Sequence, residues 1–316
     1  MKNTEQQIER MKQQTIGVEI EMADITRQKA IRVVAKYFGT SSTVNHDGGG
    51  YDAWSCLDNQ GRRWSVMRDV SIRAERDLEK AELTTPILKY EDIEDLQEIT
   101  RLLRKAGAVS NPLHGCGVHI HIGAKGHTAK TLRNLVNIMA SHEALLKESL
   151  KLDSYRVSQY CRMVDAGFLK EVNKKKPTSM SALADIWYGT QSDGYRSRSS
   201  HYNSSRYHMT NLHATFTKGT IEFRLFQFDN PTDAKKGGLH AGQLKSYIQL
   251  CLALSEMAKE VSKASSRPQQ NENPKYAMRT WLLRLGFIGE EFATARDFLT
   301  RNLSGDTAFR HGRNAA

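Results

Sequence analysis

Three segments of this chain alternate apolar and chemically capable residues with a period of two, and they restrict the fold more than any other feature. They are Gly17-Val18-Glu19-Ile20-Glu21-Met22, Gly117-Val118-His119-Ile120-His121-Ile122-Gly123 and Thr220-Ile221-Glu222-Phe223-Arg224-Leu225. Residues two apart on a strand share a face. Val18, Ile20, Val118, Ile120, Ile122, Ile221, Phe223 and Leu225 therefore read as core-facing. Glu19, Glu21, His119, His121, Glu222 and Arg224 read as one polar face. Fully buried parallel strands are unbroken apolar runs, and these are not. The expected class is α+β, with an antiparallel sheet, helices on one face and a polar site on the other.

Periodicity predicts the elements around these strands. Residues 1–14 read as a polar helix or tail, Thr15 to Met22 as a strand, and Thr26 to Phe38 as a helix with Ile31, Val34, Ala35 and Phe38 on one stripe. Asp47 to Gly50 reads as a turn, and Tyr51 to Cys56 with Arg63 to Met67 as a hairpin around Asp58-Asn59-Gln60-Gly61. Lys80 to Leu83 is a short strand stopped by Pro86, and Ile93 to Ala106 an amphipathic helix. Thr128 to Leu150 is a long helix, with helical character continuing from Tyr155 to Lys174 and again from Met180 to Trp187. Ser192 to Arg206 is dense in Ser, Arg, Asn and Gly and reads as a mobile loop. Tyr207 to Phe216 and Thr220 to Phe228 are expected to pair across Lys218-Gly219, followed by a long helix from Asp233 to Val261. The expected organisation is a catalytic domain over residues 15–262, a helical extension over 263–303 and a disordered tail over 304–316.

Composition excludes some function classes. The longest apolar helix candidate, Tyr247 to Met257, is too short to span a bilayer. The polar opening (Lys2, Asn3, Glu5, Gln6, Gln7) does not read as a signal peptide, so the expected location is cytoplasmic. Cys56, Cys116, Cys161 and Cys251 lie far apart with no C-x-x-C pair, which argues against a zinc ribbon or a disulfide framework. Cys116, just before the His strand, is the one tempting nucleophile. The formal charge of +11 favours anionic partners: nucleotides, acidic peptides or nucleic acid.

Any one of the three polar pairs, taken alone, is what a solvated strand face carries. Together they contain only metal ligands and one phosphate-binding Arg, where an ordinary surface strand favours Thr, Lys, Ser and Gln. Converging carboxylates repel one another unless a cation sits between them. Carboxylates with one or two imidazoles suit Mg²⁺ or Mn²⁺. Glu82, on Ala81-Glu82-Leu83-Thr84, joins this set, as does Asp69, which could equally cap a turn.

GVEIEM, the W-x-V-x-x-D-x-S stretch from Trp64 to Ser71, ELTTPIL, CGVHIHIG, and Arg206-Tyr207, Asn211-Leu212 and GTIEFRLF occur in this order. Together, over roughly Gly17 to Met257, they resemble the amidoligase family of the carboxylate–amine ligase superfamily, which also holds glutamine synthetase and γ-glutamylcysteine synthetase. The resemblance implies a curved antiparallel sheet forming a funnel like the glutamine synthetase catalytic fold, with helices on its outer face. It implies ATP entering one end and an acid and an amine the other. Glu19, Glu21, Glu82, His119 and Glu222 would hold two or three Mg²⁺ or Mn²⁺ ions around the ATP phosphates. Arg224 would bind the transferred phosphoryl group beside Glu222, and Asp69 would be an extra ligand or touch substrate. Arg206 and Asn211 would line the nucleotide or substrate side, and the role of His121 stays open. The substrates would be an acid and an amine, drawn from amino acids, peptides or a macromolecule. The loop from Ser192 to Arg206, with Tyr195, Arg196 and Arg198, is the candidate lid.

Two other readings remain at this level. A metal-dependent hydrolase would use His119 and His121, but leaves the Glu-x-Glu and Glu-x-Arg strands unexplained. A non-catalytic nucleic-acid binder accounts for the charge and for the basic and aromatic run from Tyr195 to Tyr207, but sets five acids against a phosphate backbone. No Gly-rich loop ends in Gly-Lys-Ser/Thr, which disfavours a P-loop enzyme; Gly48-Gly49-Gly50 reads as a turn.

Overall fold

The computed structural model describes residues 2–191, 197–229, 237–268 and 272–308. In chain order the elements begin with α1 (Lys2–Lys12), β1 (Ile16–Met22), α2 (Arg27–Phe38), β2 (Asn45–Gly48), β3 (Ala53–Leu57) and β4 (Arg63–Met67). Next come β5 (Ala81–Thr84), α3 (Ile93–Lys105), β6 (Val118–Gly123), α4 (Ala129–Ser149), α5 (Ser154–Gln159), α6 (Ala166–Lys175) and α7 (Met180–Thr190). The last are β7 (Thr210–Asn211), α8 (His213–Lys218), β8 (Thr220–Phe226), α9 (Ala241–Glu260), α10 (Pro274–Arg284) and α11 (Ala293–Thr300). The chain is mixed α/β, with eight strands among the described residues and an open sheet order. Among those residues no helix is long and apolar enough to cross a membrane.

The chain forms two compact units: Thr15–His121 with Phe226–Tyr247, and Met1–Gln14 with Ile122–Leu225 and Ile248–Ala316. In the first, the sheet unit, strands run in the order β2-β3-β4-β5-β1-β6. Registers of β2 on β3, β3 on β4, β4 on β5 and β5 on β1 are antiparallel. α2 begins where Thr26 accepts Lys29 N–H and ends at Gly39 in the left-handed region (φ 71°). Its stripe Ala30, Ile31, Val34 and Ala35 is buried, and it packs on β3, β4, β5 and α3. Gly238 is fixed by space: a Cβ there would lie 1.7 Å from the Ser110 carbonyl oxygen. The bilateral burial of Val18, Ile20, Val118 and Ile120, each at most 1% exposed, places the apolar side of the alternation in the core as expected.

The second unit is mostly helical and carries β7 and β8. Thr128 caps α4, whose Leu132, Leu135, Val136, Met139 and Leu146 are buried. Ile221, Phe223 and Leu225 are likewise buried. The N-terminal helix is tied in by charge, with Arg10 bonded to Glu256 at 2.8 Å and Lys12 to Glu291 at 2.8 Å.

The structure departs from the sequence expectation in several elements. The strand expected from Tyr207 to Phe216 is only Thr210–Asn211, and α8 follows it. Thr215, Phe216 and Thr217 look strand-like, but Gly219 in the left-handed region closes a helical turn onto Ala214 O. There Thr217 Oγ1 donates to His213 O at 2.8 Å, and Tyr188 Oη meets His213 Nδ1 at 2.6 Å. The helix expected from Asp233 starts at Ala241, after Gly237 and Gly238 at positive φ; residues 230–236 lie outside the described ones. Residues 160–165 break the continuous helical stretch, because Asp165 accepts Phe168 N–H at 2.7 Å and starts a new helix. The turn expected from Asp47 to Gly50 begins only at Gly49: Asn45-His46-Asp47-Gly48, with no apolar residue to signal it, is an exposed edge strand with a bulge between His46 and Gly48. Tyr195 and Arg196 of the expected loop lie outside the described residues. Arg198 bonds Asp185 at 2.5 Å and lies over the Tyr188 ring.

One buried acid in the helical unit has a measurable consequence. Glu143 is 1% exposed, and burial pushes its carboxyl up to about 7, against the weaker opposing pull of the Val164 N–H. The folded chain therefore binds a proton that the unfolded chain gives up near 4.5. Stability should fall as pH rises through the window from about 4.5 to about 7, by on the order of 3 kcal/mol. Glu143→Gln should flatten that slope and melt above the parent at pH 8 while matching it near pH 4.5. Thermal melts across this range check the sign.

Candidate functional site

In the sheet unit the polar sides of β1, β5 and β6 meet. Register sets Glu21 directly opposite Glu82. Glu21 N–H donates to Gly117 O at 3.1 Å, and Gly17 abuts the His121 side chain, so β6 runs antiparallel to β1 with Glu19 level with His119. This polar face is not a solvated one. Glu21 is 4% exposed, His119 3% and His121 8%.

The contacts have a direction. His119 Nδ1 lies 3.0 Å from Glu19 Oε2, and His121 Nε2 lies 3.3 Å from Glu19 Oε1. Burial alone would raise the Glu19 carboxyl, but the charge of His121 and hydrogen bonds from both imidazoles outweigh it and hold the group well below the usual carboxylate range. An ionised carboxylate only accepts, so His119 Nδ1 carries the proton in that bond. His119 Nε2 then points toward Glu21 Oε1, 3.7 Å away, and Glu21 Oε2 is occupied by Gly117 N–H at 2.5 Å. Glu21, Glu82 and His119 each offer one ligand atom within 4.8 Å of the others. Two carboxylates and an imidazole gathered this closely make a donor set that a cation would satisfy. Mixed carboxylate and imidazole donors suit a hard divalent ion such as Mg²⁺ or Mn²⁺. The residues present fit the metal that the motifs imply.

Asp69 is half-buried, and its Oδ1 accepts Ser71 N–H at 2.7 Å, the turn-capping geometry. It is not part of the group formed by Glu21, Glu82 and His119. Cys116 is fully buried in a small cluster with Ala23 and Ile72, so the structure gives it no nucleophile's access. Burial pushes the Cys56 thiol up to about 12 and the Cys251 thiol well above its ordinary value, consistent with inert packing.

In the helical unit Glu222 and Arg224 stand two apart on β8, 3% and 5% exposed. The Arg224 guanidinium bonds Glu222 Oε1 through Nη1 and Tyr160 O through Nε at 3.4 Å. It lies 5.7 Å from the centroid of the Tyr207 ring. Asn211, opposite Glu222 in the β7 ladder, donates to Glu222 Oε2 at 2.6 Å and accepts Ala214 N–H at 3.4 Å. Its amide thus holds Glu222 and starts α8. Arg206 is half-buried, with its guanidinium between the rings of Tyr202 and Tyr207 at 5.9 and 5.7 Å. Tyr160 escaped the sequence reading, and Tyr207 entered it only within the Arg206-Tyr207 motif and the basic and aromatic run, because a backbone carbonyl and a ring under a guanidinium leave no pattern in one chain.

A sequence model of the family described as "Putative amidoligase enzyme" matches residues 12–255. Among solved structures, a bifunctional glutathione synthetase from Pasteurella multocida is 15% identical, with 95% of this chain and 48% of that one covered at a TM-score of 0.38. The chain thus spans about half the length of that structure, and a likeness this low assigns neither fold nor function. No curated protein matches the chain.

Proposed function

The chain belongs to the amidoligase family, and from that membership we propose an ATP-dependent carboxylate–amine ligase that forms an amide through an acyl phosphate. Membership supports a carboxylate–amine ligase in general. The observation that carries the finer reading is the opposed pair Glu21 and Glu82 with His119 grouped beside it. On this reading the open antiparallel sheet is the curved wall of a glutamine synthetase-like funnel.

Glu21, Glu82 and His119 would hold a divalent ion, which when bound would neutralise charge on the ATP phosphates. Glu19 orients His119 through its hydrogen bond. Glu19 and Glu222 remain the candidate ligands for the further one or two ions the family implies. Arg224 would take the transferred phosphoryl oxygens, a planar fork suiting them better than a point charge. Asp69, with one oxygen on Ser71 N–H, would offer the other to substrate or metal. Arg206 with its two tyrosines would line the nucleotide or substrate side, with Asn211 steadying Glu222.

The chain supplies no nucleophile. A substrate carboxylate oxygen attacks the γ-phosphorus of ATP, the bond to ADP breaks, and an acyl phosphate forms. The amine nitrogen then attacks the acyl carbon, phosphate leaves, and the nitrogen gives up a proton. The acid and the amine would be amino acids, peptides or groups on a macromolecule, and the net charge of +11 suits acidic ones.

The test is ADP and phosphate release from purified protein with ATP, Mg²⁺ and pooled amino acids, polyamines and short peptides. The expected result is ADP formation that needs both an acid and an amine and disappears in Glu21→Gln and Arg224→Ala. Absence of both ATP turnover and ATP binding by calorimetry would sink the reading.

A further inference from the structure

Residues 160–164, between α5 and α6, lie along residues 207–209, just before β7, and are held at both ends. Arg162 N–H donates to Tyr207 O at 3.0 Å, and its carbonyl accepts Met209 N–H at 2.7 Å. The result is an isolated parallel bridge from Arg162 to His208, two residues before β7. At the near end Tyr160 and Cys161 N–H groups both donate to Arg156 O, at 2.8 and 3.1 Å. Arg156 itself is 2% exposed and reaches Arg224 O with Nη2 at 3.3 Å. At the far end Val164 N–H donates to Glu143 Oε1 and Oε2 at 3.1 and 3.0 Å. Between these anchors the Tyr160 carbonyl accepts Arg224 Nε–H at 3.4 Å. Arg224 N–H in turn donates to Met209 O at 2.9 Å, so the side chain of Arg224 meets the strap at Tyr160 while its backbone is held by Met209, the residue whose N–H donates to Arg162 O.

We propose that this strap sets the orientation of the Arg224 guanidinium, and that Glu143 is a positioning residue that acts on Arg224 through Val164 and Tyr160. The inference rests on the proposed phosphoryl transfer. An Arg side chain carries about 2 kcal/mol of rotamer entropy, which a tether at Nε removes before substrate arrives. Orientation matters steeply in such chemistry: a misplacement of about 1 Å can cost about a hundredfold in rate. Glu143 is an odd device for folding alone. Among the described residues no Lys, Arg or His lies within ion-pair reach of it, and one neutral N–H is weak compensation for a buried carboxyl. An apolar residue would suit that helix position better, unless the strap has to be held.

The test combines kinetics with ¹⁵N NMR of the Arg224 Nε–H, whose hydrogen exchange reads the tether directly and needs no activity. Glu143→Ala should lower kcat by about ten- to a hundredfold, leave the KM for ATP within about twofold, and speed Nε–H exchange at least about tenfold. Glu143→Gln keeps an acceptor for Val164 N–H and should restore both readouts to within about threefold of the parent. If Glu143→Ala does not fold, Glu143→Asp, one methylene short of Val164, takes its place. Unchanged exchange and kcat in a folded Ala or Asp variant would overturn the proposal. So would a loss of kcat that Gln does not rescue while exchange stays slow. If the parent shows no ATP turnover, the exchange comparison alone decides the strap: faster exchange upholds it and unchanged exchange overturns it, while the ligase reading fails only if ATP binding is absent as well.

Discussion

Glu82→Gln is expected to melt above the parent in a chelator, to gain almost nothing from added Mg²⁺, and to form ADP at least about a hundredfold more slowly. The reasoning starts from register. Glu82 is directly opposite Glu21 in the β1–β5 ladder, with Glu21 only 4% exposed. Like charges directly opposite on a sheet destabilise, by up to about 1 kcal/mol where exposed and more where buried. Removing one of them relieves that repulsion. In the parent a divalent ion would reverse the sign and stabilise the fold by about 2.7 kcal/mol at a hundredfold excess over its Kd. The variant lacks one of three donors and should forfeit most of this. Melting curves in EDTA, Mg²⁺ and Mn²⁺ decide it. A variant that melts lower in EDTA, beside a parent indifferent to both ions, would mean that protein contacts alone settle these carboxylates.

Arg224→Lys should lose about 10²- to 10³-fold in kcat, and Arg224→Ala at least as much. One guanidinium now serves Glu222, the Tyr160 carbonyl and the face of Tyr207. An ammonium cannot reach all three in fixed directions and still meet a phosphoryl group. Arg224→Ala should also cost about 3 kcal/mol of stability, because Glu222 would keep its charge at 3% exposure without its cation. Pairing it with Glu222→Gln separates the two effects. The double variant should recover most of the stability and none of the activity. Recovery of activity would place Arg224 outside the chemistry and leave it a purely structural partner of Glu222.

The parts of this protein legible in one sequence are those governed by nearest neighbours. Period-two alternation placed Val18, Ile20, Val118, Ile120, Ile221 and Phe223 in the core, and each is at most 1% exposed. The apolar stripe placed a helix over Thr26 to Phe38, and α2 runs Arg27–Phe38 between its Thr26 and Gly39 caps, which act within one turn. The same alternation named the site side chains: Glu19, Glu21, His119, His121, Glu222 and Arg224. Where local signals compete, the reading failed. Thr215-Phe216-Thr217 has strand-like residues, yet a left-handed Gly219 and a bond from Tyr188 to His213 made a helix of it. The polar edge strand β2 carries no periodic signal, because neither of its faces enters a core.

Alternation alone thus determined which residues point to the polar side of each strand and that this chain spends three strands on acids, imidazoles and a guanidinium. Only tertiary structure decided that Glu21 faces Glu82 and not Thr84, since register is a contact between segments some sixty residues apart in sequence. Tertiary structure also made the polar face a buried one and turned His119 so that Glu19 takes one nitrogen and leaves the other toward Glu21. The hold of Glu143 on Arg224 through a strap belongs to the same class. A backbone carbonyl and a backbone N–H are the same in every residue, so no spelling of the chain can announce which of them will be used.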